Sequence, residues 1–215
     1  DSSSSSGTQA FRWTQAGGMV GLGDLPGGPF QSDARAVSAD GSVVVGVSNS
    51  TNGAEAFRWT QATGMVGLGD LPGGAVSSLA YGVSANGNVI VGSATDASGL
   101  QAFRWTQATG MKSIADLLTA GGVDLTGWKL SQAKATNADG SVIVGQGTKD
   151  KFPAAFIAKV GGSNPGVTTP QDLANSLASS VVPSQQGQQL MTAGLGQSLF
   201  AARYAASAIP LRRQE

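Results

Sequence analysis

GAEAFRWTQATGMVGLGDLPGG, residues 53–74, decides the fold, because it recurs almost letter for letter one period earlier and less exactly one period later. Phe11, Phe57 and Phe103 stand 46 residues apart, and a second motif keeps that interval: SADGSVVVG from Ser38, then SANGNVIVG from Ser84. A third copy, NADGSVIVG from Asn137, arrives after 53, so the last repeat carries a seven-residue insertion. AAFIAKV at Ala154–Val160 repeats the opening motif with Phe156 in the Phe position and Ile157 and Ala158 in place of Arg and Trp. Degenerate terminal copies are how stacked repeat arrays end, since the outermost face has no neighbour of its own kind.

Residues 56–101 are the best-formed unit. In Ala56–Thr60, Phe57 and Trp59 point one way and Arg58 and Thr60 the other, the period of a strand with one buried face. Ala-Thr-Gly at 62–64 reverses the chain, Val66 and Leu68 alternate with Gly67 and Gly69, and Asp70-Leu71-Pro72-Gly73-Gly74 stops the strand. Leu79–Ser84 reads as a third strand and Val89-Ile90-Val91 as a fourth, its β-branched run suiting a buried place. Asn86-Gly87, like Asp40-Gly41 and Asp139-Gly140, signals a hairpin in which both turn residues tolerate positive φ.

Four short antiparallel strands per 46 residues predict an all-β, propeller-like repeat domain over 10–160. A β-helix, trefoil or prism is the alternative, and the first would need two coils per repeat where the two halves do not resemble each other. About three blades cannot close a ring, since propellers contain roughly four to eight. The expectation is therefore a homo-oligomer, most simply a dimer, that completes the circle and hides exposed edges.

The flanks differ. Residues 1–9, DSSSSSGTQ, read as a flexible lead of the form that elsewhere enters a repeat, as if the chain were a processed or excised fragment. Gly161–Gly166 reads as the core of a linker over 161–168. Beyond it, Thr169-Pro170-Gln171-Asp172 is a helix start, and an apolar stripe through Leu190, Leu195, Leu199 and Tyr204 continues a helical tail over 169–215. That tail either packs as a helix pair or leads to something further on.

Composition narrows the chemistry. Charged residues are 12% of the chain, about half the usual share, and 13 basic residues balance 13 acidic ones, so no footprint for nucleic acid is present. The chain contains no cysteine and no histidine, which removes thiolate and imidazole as nucleophile, base or metal ligand. No stretch approaches the roughly 20 apolar residues of a membrane helix. With no recognisable catalytic motif, the chain does not read as an enzyme. A carboxylate-based hydrolase is the remaining enzymatic alternative, although no spacing selects a pair.

The repeated AFRWT, GMVGLGDLPGG and VSADGSVVVG segments resemble the extracellular HAF repeat family of bacterial surface and secreted proteins, over about residues 10–160. The resemblance implies an extracellular or outer-surface location and a non-enzymatic, passenger- or adhesin-like role. It also implies an autotransporter-like order, in which a passenger precedes a helical linker. The family's initial His is replaced here by Glu55 or by Gln, so no role resting on that imidazole carries over.

Arg12-Trp13, Arg58-Trp59 and Arg104-Trp105 recur in equivalent places, preceded by Gln9, Glu55 and Gln101. An aromatic face beside Arg and an acid or amide suits a sugar, so a lectin with a glycan or host-surface ligand is the alternative function. The plainer reading is that Trp packs between repeats while Arg lies on the surface or pairs with Asp24 or Asp70. Asp40, Asn86 and Asp139 are explained by their turns, and no D-x-D-x-D loop indicates calcium. The glycines of GLGDLPGG make no phosphate loop, so no cofactor is expected. Trp128, in the insertion, is the aromatic outside the repeat rule and a candidate partner contact.

Overall fold

The computed structural model describes residues 2–4, 7–160 and 167–168. Asp1–Val167 makes one compact unit. The expected core of the linker, 161–166, and the helical tail over 169–215 lie outside the described residues.

The described chain is sheet, with one short helix. The strands are β1 (Ser2–Ser4), β2 (Gly7–Gln9), β3 (Phe11–Thr14), β4 (Gly18–Gly21), β5 (Gly27–Val37), β6 (Val43–Ser50), β7 (Gly53–Thr60) and β8 (Gly64–Gly67). There follow β9 (Ser78–Val83), β10 (Val89–Asp96), β11 (Gly99–Thr106), β12 (Gly110–Ser113), α1 (Ile114–Ala120), β13 (Trp128–Thr136), β14 (Val142–Lys149), β15 (Phe152–Lys159) and β16 (Val167–Thr168). The strands form a six-stranded sheet in the order β1-β2-β5-β6-β7-β8, two four-stranded sheets, β9-β10-β11-β12 and β13-β14-β15-β16, and the two-stranded β3-β4 hairpin. Within the four-strand runs β5–β8 and β9–β12 and between β13, β14 and β15 the registered neighbours are antiparallel. The β-helix alternative is therefore not what forms.

Among the described residues, parallel contact is seen at Thr8↔Gln31, which joins β2 to β5 within the first sheet, and, one period on, at the isolated bridge Ala54↔Ser77 between the first sheet and the second. Residues 2–4 pair with 7–9, so the segment expected as a flexible lead contains paired strands.

Sequence repeat and sheet are out of phase. The unit 56–101 straddles two sheets: Ala56–Thr60 and Met65 close one, while Leu79 and Val89 belong to the next. A tandem repeat has no intrinsic starting point, and pairing across the Asp40-Gly41 and Asn86-Gly87 turns sets the boundary.

Each sheet packs on its neighbour through the same residues. Between β3-β4 and the first full sheet, Ala10, Leu22 and Leu25 meet Val44, Phe57 and Trp59, with Met65 alongside. Between the first and second, Val43, Val45 and Ala56 meet Ile90 and Phe103, with Trp105 and Met111 packed against them. Between the second and third, Val89, Val91 and Ala102 meet Leu130, Ile143 and Phe156. Phe57, Phe103 and Phe156 are fully or almost fully buried, each contributing on the order of 2–3 kcal/mol of apolar transfer.

Two backbone devices tighten the stack. Ser32 and Ser78, both fully buried, accept from Ala10 N–H and Ala56 N–H (3.0 Å each) and donate to the carbonyls of Gly23 (2.6 Å) and Gly69 (2.7 Å). The first-to-second-strand turns are also chained, Ala39 N–H to Ala85 O at 3.1 Å and Ala85 N–H to Ala138 O at 3.0 Å.

These turns differ from the expected pair of positive-φ residues. Only the glycines Gly41, Gly87 and Gly140 take positive φ. Asp40 keeps an ordinary backbone because its carboxylate organises the turn instead, accepting from Ser38 Oγ (2.6 Å), Ser42 Oγ (2.8 Å) and Ser42 N–H (3.0 Å).

The insertion is not a loop throughout. Ser113 caps α1 by accepting from Asp116 N–H, and Ile114 and Leu118 enter the core between the second and third sheets.

Candidate functional site

The turns and the ends of the third strands converge on an open cleft of about 360 Å³ lined by Arg12, Asp40, Ser42, Arg58, Trp59 and Asn86, with neighbouring backbone. It draws on the β3-β4 hairpin, the first sheet and the turn opening the second. Two guanidinium groups and one carboxylate thus face a common space from successive repeats. Asp40 sits at its rim with its pKa lowered to about 2, first by the Ser38 hydroxyl and then by the two donors of Ser42. Asn86 makes the matching bonds without charge, accepting from Ser84 Oγ (2.7 Å) and Asn88 N–H (3.0 Å). The turn needs an acceptor, and charge is optional.

The three Arg-Trp positions are not equivalent in space. Trp59 is 9% exposed and lies in the core against the β3-β4 hairpin, so little of its indole is left to line the cleft. Trp105 is half-buried on the next inter-sheet core. Trp13 is 63% exposed. Arg58 and Arg12 line the cleft, while Arg104 is half-buried, its Nε has no hydrogen-bond partner and burial lowers its pKa.

Glu55 is not among the residues lining the cleft. Its carboxylate lies over Gly67, where a Cβ would collide with it, and accepts from Gly69 N–H at 2.9 Å. Asp70 likewise accepts from Leu71 N–H (2.8 Å) and Ser77 N–H (2.7 Å), so it holds a turn rather than Arg58. Trp128 opens β13 and packs half-buried on the core that α1 also enters.

Arg35, Tyr81 and Lys134 recur at the spacing of the repeats, and each sits at a register shift in the first strand of its four-strand run. The bulge re-aims the extra side chain. Arg35 Cζ stands 5.6 Å and Lys134 Nζ 4.2 Å from the Tyr81 ring centroid, a cation–aromatic–cation column spanning three sheets. Asp33 neutralises Arg35 at 2.8 Å.

No protein-family model matches the chain, and no curated protein matches it in sequence. Among solved structures, TolB from Acinetobacter baumannii is similar at 11% identity and a TM-score of 0.47. That similarity covers 73% of this chain, which spans 36% of the TolB chain, and it is too slight to carry an argument about fold or role.

Proposed function

We propose that this chain is a non-enzymatic repeat module of a bacterial surface or secreted protein, a passenger- or adhesin-like piece whose sheets are the blades of an incomplete propeller. One observation carries the reading: the residues that recur at the 46-residue interval are engaged in joining sheet to sheet. Phe57 and Phe103 fill the inter-sheet cores, Ser32 and Ser78 bridge neighbouring backbones, and Asp40 and Asn86 shape turns that bond to one another. The resemblance of these segments to HAF repeats supports the extracellular placement. Epitope-tagged protein expressed in a bacterial host that carries it should be cleaved by protease added to intact cells, or be found in the medium. Protection inside intact cells would overturn the reading.

The cleft supports a second reading, a carbohydrate-binding lectin. Arg12, Arg58, Asp40 and Asn86 offer donors and acceptors around one space, although the aromatic surface there is the small exposed part of Trp59. A glycan array probed with the wild-type chain and with Arg58→Ala tests it. Binding lost in the variant supports the lectin, and an array without signal removes it.

A further inference from the structure

The two ends of the stack expose residues whose counterparts are buried between inner sheets. Phe11, Trp13 and Met19 are the counterparts of Phe57, Trp59 and Met65 and of Phe103, Trp105 and Met111. The inner sets pack on the preceding sheet. At the N-terminal hairpin Trp13 is 63% and Met19 60% exposed. At the other end, Val142, Val144 and Ala155 are the counterparts of Val43, Val45 and Ala56 and of Val89, Val91 and Ala102, all of which are buried against the following sheet. Here Val144 is 39% exposed, Ala155 is exposed and Val142 half-buried.

We propose that these faces dock head to tail between copies, Phe11, Trp13 and Met19 of one chain against Val142, Val144 and Ala155 of a second. The inference rests on the reading of the repeats as an assembly device and names the partner. Its template is inside the molecule: Val43, Val45 and Ala56 already meet Phe103, Trp105 and Met111 between the first and second sheets. A second copy carries both complementary faces, so each chain can satisfy the other. The contact is heterologous, because a head meets a tail. It therefore closes into a ring if the rotations sum to a circle and otherwise continues as an open chain.

Multi-angle light scattering on the full 215-residue chain at tens of micromolar tests the proposal. The wild type is expected at twice the chain mass or a higher multiple. Trp13→Glu and Val144→Glu change exposed side chains, so both should keep the wild-type circular dichroism while losing association. Mixed in equal amounts they should re-form pairs, since one retains an intact tail and the other an intact head. A wild-type mass of one chain, association that survives either substitution, or a mixture that stays single would each overturn it. Those results leave the surface-module reading standing, which the protease experiment on intact cells addresses separately.

Discussion

The first full sheet and the hairpin before it share the letters AFRWT, yet Trp59 is 9% exposed and Trp13 63%. At the other end Val91 is fully buried and its counterpart Val144 is 39% exposed. An apolar pattern therefore encodes half of an interface. The hydrophobic effect acts on it only where the complementary half is supplied, here by the adjoining sheet. Among the described residues, inner sheets have neighbours on both sides, whereas the end elements each present one face without a neighbouring sheet.

The largest expected effect compares the two positions of one phenylalanine. Phe103→Ala should cost about 3–5 kcal/mol in urea unfolding, because the ring is fully buried between sheets. Phe11→Ala, at a half-buried position on the end face, should cost well under half as much. Equal losses would break the contrast between inner and end elements.

A smaller effect is expected at the buried hydroxyls. Ser78→Ala leaves Ala56 N–H and the Gly69 carbonyl without their partner and should cost about 1–3 kcal/mol. The counterpart Ser131 falls within a register shift between Leu130 and Gln132, and Ser131→Ala should stay within about 0.5 kcal/mol of wild type. A comparable loss at Ser131 would show that the third sheet is latched like the others.

The smallest effect concerns pH. Asp40 is lowered from 3.8 to about 2, so its carboxylate contributes stability above its unfolded value that is lost as pH falls through the folded one. Asp139, in the third sheet, is also lowered, first by the Ser141 hydroxyl, but Asn137 stands where Ser38 donates to Asp40. NMR titration should find Asp40 keeping its charge to lower pH than Asp139. The melting-temperature difference between wild type and Asp40→Asn should change between pH 3.8 and 2, whereas that for Asn86→Ala should stay flat there. The reverse order of the two aspartates would show that hydroxyl donors do not set this turn.

Much of the architecture was legible in one dimension. Alternation at Phe57 and Trp59 located a strand, Ala-Thr-Gly at 62–64 located a reversal, and Leu79–Ser84 falls within one residue of β9 at each end. The helix α1 is not legible because seven residues span only two turns, too few to show a helical period, and its cap, Ser113, ends a strand without punctuation. The candidate site was less legible. Identical Arg-Trp pairs lie in three environments, and Glu55 turns from the cleft to Gly69 N–H. The column through Tyr81 depends on bulges, which shift register by one residue and leave no mark in a hydrophobicity pattern.

Periodicity alone establishes that a β unit of 46 residues is copied along the chain, because strand alternation and turn residues are local properties. Where each sheet begins, which tryptophans are covered and which arginines share a cleft are settled by the stacking of one sheet on the next. Burial and long-range pairing are properties of neighbours, and identical segments acquire different environments once some have two neighbours and others only one.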